Sequence, residues 1–586
     1  LDYLHKSLKI QVEVGGDEQM IVAILYNNIG TVLIEKSEYD KALEYLFKSL
    51  VIRKKISGEK NVRVALVYNN IGNIYNYKRE LDKALEYYYK SLNIYLEVVG
   101  ENHNAVGGAY INIGSVYSDK REYPKALECY QKALEIRRSI LGEKHTLIAN
   151  LYSSIGNIYL HLNNVDSALF YNQIALDMKV ELLGLNHTSV SVSYNNIGLI
   201  YEYTKDYNKS IEYYKKSLFN QIIAYGKKHA EVALNYNNIG NIYFWEGNYA
   251  DALKYYQASL NSNLLFFDDS SQYSSSFKVN SYLDTYELLK SLSQRAIIFG
   301  KLAVAMTKNS SSIEQLKPNF DKPITANELF KLSLENFMRC DTIIELTRKT
   351  VNNANDKITL GETAQNIYIQ AIDMCYAFSN SNSSESQQAI EKAFYFAEQG
   401  KGMVLLQALA ESEGLRYSGI SDSLVEKERT LKVDIAFYEG QMAEELDSIT
   451  STDFQNKLFS AKRQYEELIL FLEKNYPNYY NLKYSSIKPR IDEIQEQLAK
   501  KCALFNYVLG DSSIYIFALT RKTVDFYKVE DICGFEDSIR VYRSALSGNT
   551  LYANRYLSSG VFIYQKLFPK GLSFRDKIEN IILVPD

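Results

Sequence analysis

Apolar and polar positions between residues 20 and 260 alternate with a helical period that breaks at regular intervals. A helical stretch containing YNNIGNIY (68–75) is followed by a short polar turn, as in KSEYD (36–40), and by a second helical stretch such as ALEYLFKSL (42–50). The YNNIG phrase returns at 194–198 and 236–240, and its glycine recurs as Gly30, Gly72, Gly114, Gly156, Gly198 and Gly240, always 42 residues apart. Twelve residues after each stands a small residue: Ala42, Ala84, Ala126, Ala168, Ser210 or Ala252. A second glycine series, Gly16, Gly58, Gly100, Gly142, Gly184 and Gly226, keeps the same period. Three registers locked over six copies define a repeat of two helices, A and B, and predict an α-solenoid.

Glycine costs about 1 kcal/mol against alanine inside a helix, so its recurrence needs a compensating contact. A small residue on A facing a small one on B lets the two backbones cross closely. Tyr68, Tyr75, Tyr87 and their equivalents then fill the space around the crossing, which accounts for much of the tyrosine excess (50 residues). The second glycine falls where a helix end takes a left-handed residue.

At about 100° per residue, the Asn three before the repeat glycine (Asn27, Asn69, Asn195, Asn237) lies ~60° from it, beside the packed face. The Asn two before it (Asn28, Asn70, Asn112, Asn196, Asn238, with Ser154 in the fourth copy) lies ~160° away. Carboxamides there have two readings: ties between neighbouring A helices, or a ladder of donors and acceptors for an extended peptide. Five after the glycine stand Glu35, Tyr77, Asp119, His161, Tyr203 and Trp245, which predict a neutral to mildly acidic groove with an aromatic end. Six before it stand Ile24, Leu66, Gly108, Asn150, Val192 and Leu234, with no lysine or arginine to clamp a terminal carboxylate. The peptide groove is thus assigned to Asn28, Asn70, Asn112, Asn196, Asn238, Tyr77, Tyr203 and Trp245. His103, His145, His187 and His229, with Asn61 in the earliest matching loop, form another 42-spaced series. Successive repeats stand on the order of 10 Å apart, too far for a shared metal with nitrogens at about 2.1 Å, so these residues read as loop or helix N-terminal caps.

The spacing of Tyr, Gly, aromatic and Ala resembles the tetratricopeptide pattern, and the 42-residue length with LG-x-x-H-x-x-V before helix A resembles the kinesin light chain repeats. That resemblance implies a concave groove, formed by A helices, that binds a protein or extended peptide. Residues 1–16 match the back half of a repeat, so the sequence reads as starting in mid-repeat.

Beyond Leu260 the register fails. Helical periodicity continues through 278–306, 325–352 and 360–378, with loops at 267–276, 308–312 and 379–386, and reads as degenerate helix pairs (261–412). Residues 413–484 form a connector with long helices near 423–445 and 453–475. From 485, CALFNYVL (502–509), SIYIFALT (513–520) and TVDFYKVE (523–530) predict a three-stranded meander. Helices near 534–547 and 551–568 and a buried strand in IENIILVPD (578–586) complete a small α/β module. AEQGKGMVLLQAL, YPNYYNL, the meander and IILVPD resemble the front of a CHAT domain, a caspase-like module, in truncated form. The resemblance implies a regulatory portion of a cysteine peptidase, whose catalytic His and Cys normally follow the VPD strand. No histidine exists beyond His229, so no Cys–His pair is available to Cys502 or Cys533, which read as structural. The alternative is a non-enzymatic adaptor.

Composition changes little. Sixty-six basic against 70 acidic residues, net −4, give no electrostatic reason for nucleic acid or an anionic membrane as partner. Seven prolines suit a mostly helical chain. Five scattered cysteines without a CxxC pair argue for a reducing, cytoplasmic setting and against a zinc site. No apolar run reaches membrane-spanning length, and no cofactor motif is present. Oligomeric state is open.

Overall fold

The computed structural model describes residues 1–264, 282–307, 324–351, 354–381, 385–401, 420–442, 448–477, 490–546, 556–568 and 578–585. The expected loops at 267–276 and 308–312, much of 379–386 and the segments AEQGKGMVLLQAL and YPNYYNL beyond residues 401 and 477 lie outside the described residues. The chain divides into two bodies. One comprises Leu1–Ser291, Leu346–Ile358 and Ile420–Phe471, the other Leu292–Glu345, Thr359–Gly419 and Leu472–Asp586.

The first body holds six helix pairs. Their A helices are Met20–Glu35, Val62–Tyr77, Asn104–Asp119, Thr146–His161, Thr188–Tyr203 and Ala230–Trp245. Their B helices are Tyr39–Ser57, Leu81–Val99, Tyr123–Leu141, Val165–Leu183, Tyr207–Tyr225 and Tyr249–Asn263. The helix Asp2–Gly15 precedes them as a lone B helix.

The glycine earns its place at the A–B crossing. A Cβ on Gly72 would stand 2.7 Å from the ring of Tyr88, sixteen residues on; at Gly114 and Gly198 it would meet Tyr130 and Tyr214 at 2.8 Å. Carbon atoms need about 3.5–4.0 Å, so only a hydrogen fits. The partner alanines are fully buried, and Ser210 donates its hydroxyl to the Gly198 carbonyl at 2.9 Å. A second close approach lies one turn pair away. Ser49, Ser91 and Ser259 of the B helices donate to the carbonyls of Ala23, Ala65 and Ala233 at 2.6, 2.8 and 3.0 Å. Around these crossings the tyrosines stack as expected, Tyr75 on Tyr87 at 5.3 Å and Tyr201 on Tyr213 at 5.6 Å.

Both turns of the repeat use unusual backbone. Gly58 and Gly100 have φ of 76° and 78° with ψ near 170°. That extended, positive-φ region is essentially open to glycine alone, so the expected left-handed cap is a related but different conformation. The A–B turn places Ser37, Arg79, Arg121, Asn163 and Lys205 at φ of 57–61°. Glu38 N–H donates to the Leu33 carbonyl and Ser37 N–H to Ile34, closing the A helix in the manner of a Schellman motif.

The second body contains a four-stranded sheet in the order β3-β2-β1-β4, with β1 Cys502–Leu509, β2 Ser513–Thr520, β3 Val524–Glu530 and β4 Asn580–Val584. The first three strands form the expected antiparallel meander, and β4 runs parallel to β1. Phe505, Ile514 and Ile516 face helices Phe535–Leu546 and Tyr556–Leu567. On the other face Phe517 meets Phe394 edge-on at 5.4 Å, and Tyr515 donates to Asp373 at 2.7 Å. These partners sit on helices Ala354–Ser379 and Ser386–Gly400, which the sequence reading placed among degenerate repeats. The last strand corrects another expectation. Among the described residues β4 pairs with β1 alone, and Ile581, Ile582 and Leu583 are about half exposed rather than buried. Its apolar run alone could not separate a central strand from an edge strand.

Candidate functional site

The A helices present one face away from the glycine crossing, and the assigned groove residues lie on or beside it. Asn70 donates to Asn27 of the preceding A helix at 3.2 Å, and Asn112 to Asn69 at 2.9 Å. Asn196 donates to Asn172 on the preceding B helix at 3.4 Å, and Asn238 accepts from Lys290 at 3.3 Å. Asn237 donates to the Glu287 carbonyl and carboxylate, and Ser291 donates back to Asn237 at 2.7 Å. The carboxamides of the first three repeats therefore tie successive A helices together, as one of their two readings held, whereas Asn196 bonds to a B helix and Asn237 and Asn238 to residues 287–291. Asn70, Asn112, Asn196 and Asn238 remain half-buried, Asn27, Asn172 and Asn237 are buried, and Asn28, at the start of the ladder, is exposed.

Tyr77, Tyr203 and Trp245 stay 51, 53 and 50% exposed. Each leans on the repeat before it: Tyr77 stacks on Tyr39 at 5.8 Å, Trp245 tilts against Tyr207 at 6.5 Å, and Tyr203 donates to Asn163. The same face carries other exposed apolar groups, of which the sequence reading singled out Val192 and Leu66, six before the glycine, but missed Leu199. Val192, Leu199 and Tyr203 follow one another at helical spacing along the fifth A helix, and Leu66 sits similarly on the second. The position one after the glycine (Leu199) gave no signal because the other copies there are Thr, Asn or Ser. Beneath this face Tyr214 donates to Glu202 at 2.6 Å, and burial holds that carboxyl above its ordinary range.

The histidine series caps helices. His103, His145, His187 and His229 accept through Nδ1 from the backbone N–H two residues on, at 3.1–3.2 Å, as Asn61 does through its side-chain oxygen at 2.8 Å. An accepting Nδ1 requires the neutral ring protonated at Nε2. Burial pushes the His229 pKa down.

At the first repeat, the chain's own helix Asp422–Met442 engages the A–B turn. Asp434 pairs with Lys36 at 2.7 Å, Arg429 with Glu38 at 2.7 Å, and Glu426 with Lys41 at 3.4 Å.

In the second body a cleft of about 1000 Å³ is lined by Asp511, Glu530, Asp531, Glu536 and the exposed Cys533. Among the described residues neither histidine nor lysine lines it. Cys502 is buried at the head of β1. Among the described residues no cluster of His, Cys, Asp and Glu could hold a metal, and no helix is long and apolar enough to cross a membrane.

Comparison with known proteins agrees with the repeat. One family profile described as Tetratricopeptide repeat matches residues 63–139, 106–180, 147–221 and 189–263, and a second of the same description matches 22–62. No curated protein matches the chain. Among solved structures, BtubC (BKLC) from P. vanneervenii is 18% identical over 38% of this chain and 87% of its own, with a TM-score of 0.34. A Podosopora anserina putative kinesin light chain with nearly identical TPR-like repeats is 13% identical over 34% and 95%, TM-score 0.31. The apo form of RapI is 16% identical over 55% and 99%, TM-score 0.33. Residues 22–263 are thus a run of tetratricopeptide repeats in a helical solenoid, a scaffold consistent with protein–protein interaction.

Proposed function

We propose that the repeats bind an extended segment of a protein partner along the outward face of the A helices, chiefly at the fifth and sixth repeats. The observation that carries this is the exposed line of Val192, Leu199 and Tyr203, with Trp245 exposed at the position equivalent to Tyr203 in the next repeat. Apolar groups spaced along a helix face and kept out of the core are what a docked chain covers. The amide ladder fixes the spacing of that face, and its half-exposed members can add bonds to the peptide backbone. The finer reading, implied by the CHAT resemblance, makes this the recognition part of a caspase-like peptidase whose α/β portion responds to the partner. The alternative is a plain adaptor role for residues 1–586.

The test is selection of binding peptides from a displayed random library, followed by affinity measurement on the full chain. Val192→Glu with Leu199→Glu is expected to weaken the selected peptides at least tenfold, and Phe219→Glu on the fifth B helix to leave them unchanged. Equal affinity for all three proteins would place the binding surface elsewhere.

A further inference from the structure

Three repeats cover their tyrosines with two of their own lysines, and the first repeat with one, Lys48 over Tyr45 at 5.4 Å. In the second, Lys83 lies 5.2 Å over Tyr75 and Lys90 lies 4.6 Å over Tyr87. In the third, Lys125 and Lys132 stand over Tyr117 and Tyr110 at 5.1 and 5.5 Å. In the fifth, Lys209 and Lys216 stand over Tyr201 and Tyr213 at 4.9 and 4.7 Å. The second lysine of each set is held by a glutamate one turn earlier: Glu86, Glu128 at 2.7 Å and Glu212 at 2.6 Å.

The fourth repeat keeps the stack, with Tyr159 on Tyr171 at 5.4 Å, but not its cover. Ser167 and Ile174 replace the lysines, and Phe170 replaces the glutamate. (The sixth repeat also lacks both lysines but carries Lys254 at the glutamate position.) Phe170 stands 61% exposed, edge-on to Tyr171 at 5.3 Å. Beside it a cleft of about 510 Å³ opens between the fourth B helix and the fifth A helix. Phe170, Ile174 and Ile197 give it apolar walls, Tyr201 an aromatic one, and Asp166 and Asp177 two carboxylates.

We propose that this cleft receives a lysine or arginine side chain from a protein partner. The aliphatic stem lies along Phe170 and Ile174, and the charged head reaches the carboxylate at one end of the cleft, Asp166 or Asp177, which stand eleven residues, about 16 Å, apart on the helix. Stem-and-head division is the way such side chains cover mixed surfaces, and a cation over aromatic faces gains about 0.5–2 kcal/mol. Charge complementarity selects the occupant: the fourth repeat lacks its siblings' lysines, and Asp166 and Asp177 are the charged groups that line the cleft. Gln173 donates to Asp177 at 2.7 Å, and an acidic or wholly apolar segment brings no positive charge to either carboxylate. This surface involves the B helix and is distinct from the outward A-helix face.

The experiment uses the full chain and a fluorescein-labelled peptide, acetyl-(Gly-Ser-Lys)4-amide, in anisotropy titrations at low salt. Phe170→Glu with Ile174→Lys installs the pair native to the sibling repeats and leaves net charge unchanged. The expected results are saturable binding to the native chain, at least tenfold loss in that double variant with helicity retained, and loss when the peptide's lysines are acetylated. Asp166→Asn with Asp177→Asn is expected to weaken binding at least threefold. Unchanged affinity in the Glu/Lys variant, equal binding of the acetylated peptide, or no saturable binding to the native chain would each overturn the proposal. Val192→Glu with Leu199→Glu should leave this binding intact, which separates its failure from failure of the A-helix reading.

Discussion

Gly72→Ala sets two effects of opposite sign against each other. Helix propensity alone favours alanine by about 1 kcal/mol. The crossing opposes it, because the added Cβ would sit 2.7 Å from two ring carbons of Tyr88, nearly 1 Å inside contact distance. That ring cannot swing aside easily: it is 2% exposed, and its hydroxyl donates to Asn73 at 2.7 Å. Forcing a methyl into a filled core costs about 1–3 kcal/mol, so the net expectation is a loss of about 1–2 kcal/mol. Repeat arrays need not unfold in one step, so the readout is amide hydrogen exchange in residues 62–99 alongside urea unfolding by circular dichroism. Exchange there should accelerate by about 5–30-fold. Tyr88→Ala removes the obstacle, and adding Gly72→Ala to it should then stabilise rather than destabilise. A single Gly72→Ala chain with slower exchange would refute the close crossing.

Other expectations follow from buried polar groups. Lys179 is only 2% exposed, and burial lowers its pKa to about 8. Relative to an unfolded value near 10.4 that is on the order of 3 kcal/mol of destabilisation at neutral pH, so Lys179→Met should raise the urea midpoint. Between pH 8 and about 10.4 the unfolded chain binds the extra proton, so native stability should climb with pH there, and this climb should vanish in Lys179→Met. For His229 the folded pKa is also lowered, so its contribution is complete above about 6.5 and is lost as pH falls through that value toward the folded one. His229→Asn keeps an acceptor at the cap and should remove that acid sensitivity at little cost at neutral pH, whereas His229→Ala should cost about 1 kcal/mol in thermal or urea unfolding. Asn70→Ala removes one inter-repeat tie and should cost about 1 kcal/mol, measured as faster exchange at the junction of the first two repeats.

What the sequence disclosed was whatever repeats. Six copies fixed both helices of each pair, the glycine–alanine crossing and the capping role of His103 to His229, because each rests on a local backbone need that recurs. The meander was legible from its three apolar runs. The direction of the asparagines was not settled, since 160° from the glycine is close enough to the next A helix for a long carboxamide to reach it. The left-handed turn residues were hidden because Ser37, Arg79, Arg121, Asn163 and Lys205 share no side-chain chemistry. Exposure of β4 was invisible for another reason: strand position in a sheet is set by distant pairing, not by the strand's own composition.

Trp245 is the only tryptophan, stands half exposed at the sixth repeat, and so reports directly on the A-helix face. The decisive measurement is iodide quenching of its emission in the full chain, with and without a saturating library-selected peptide. Docking along that face predicts a fall in the quenching constant of at least twofold, absent in the Val192→Glu/Leu199→Glu chain. Undiminished quenching while the peptide remains bound would contradict it.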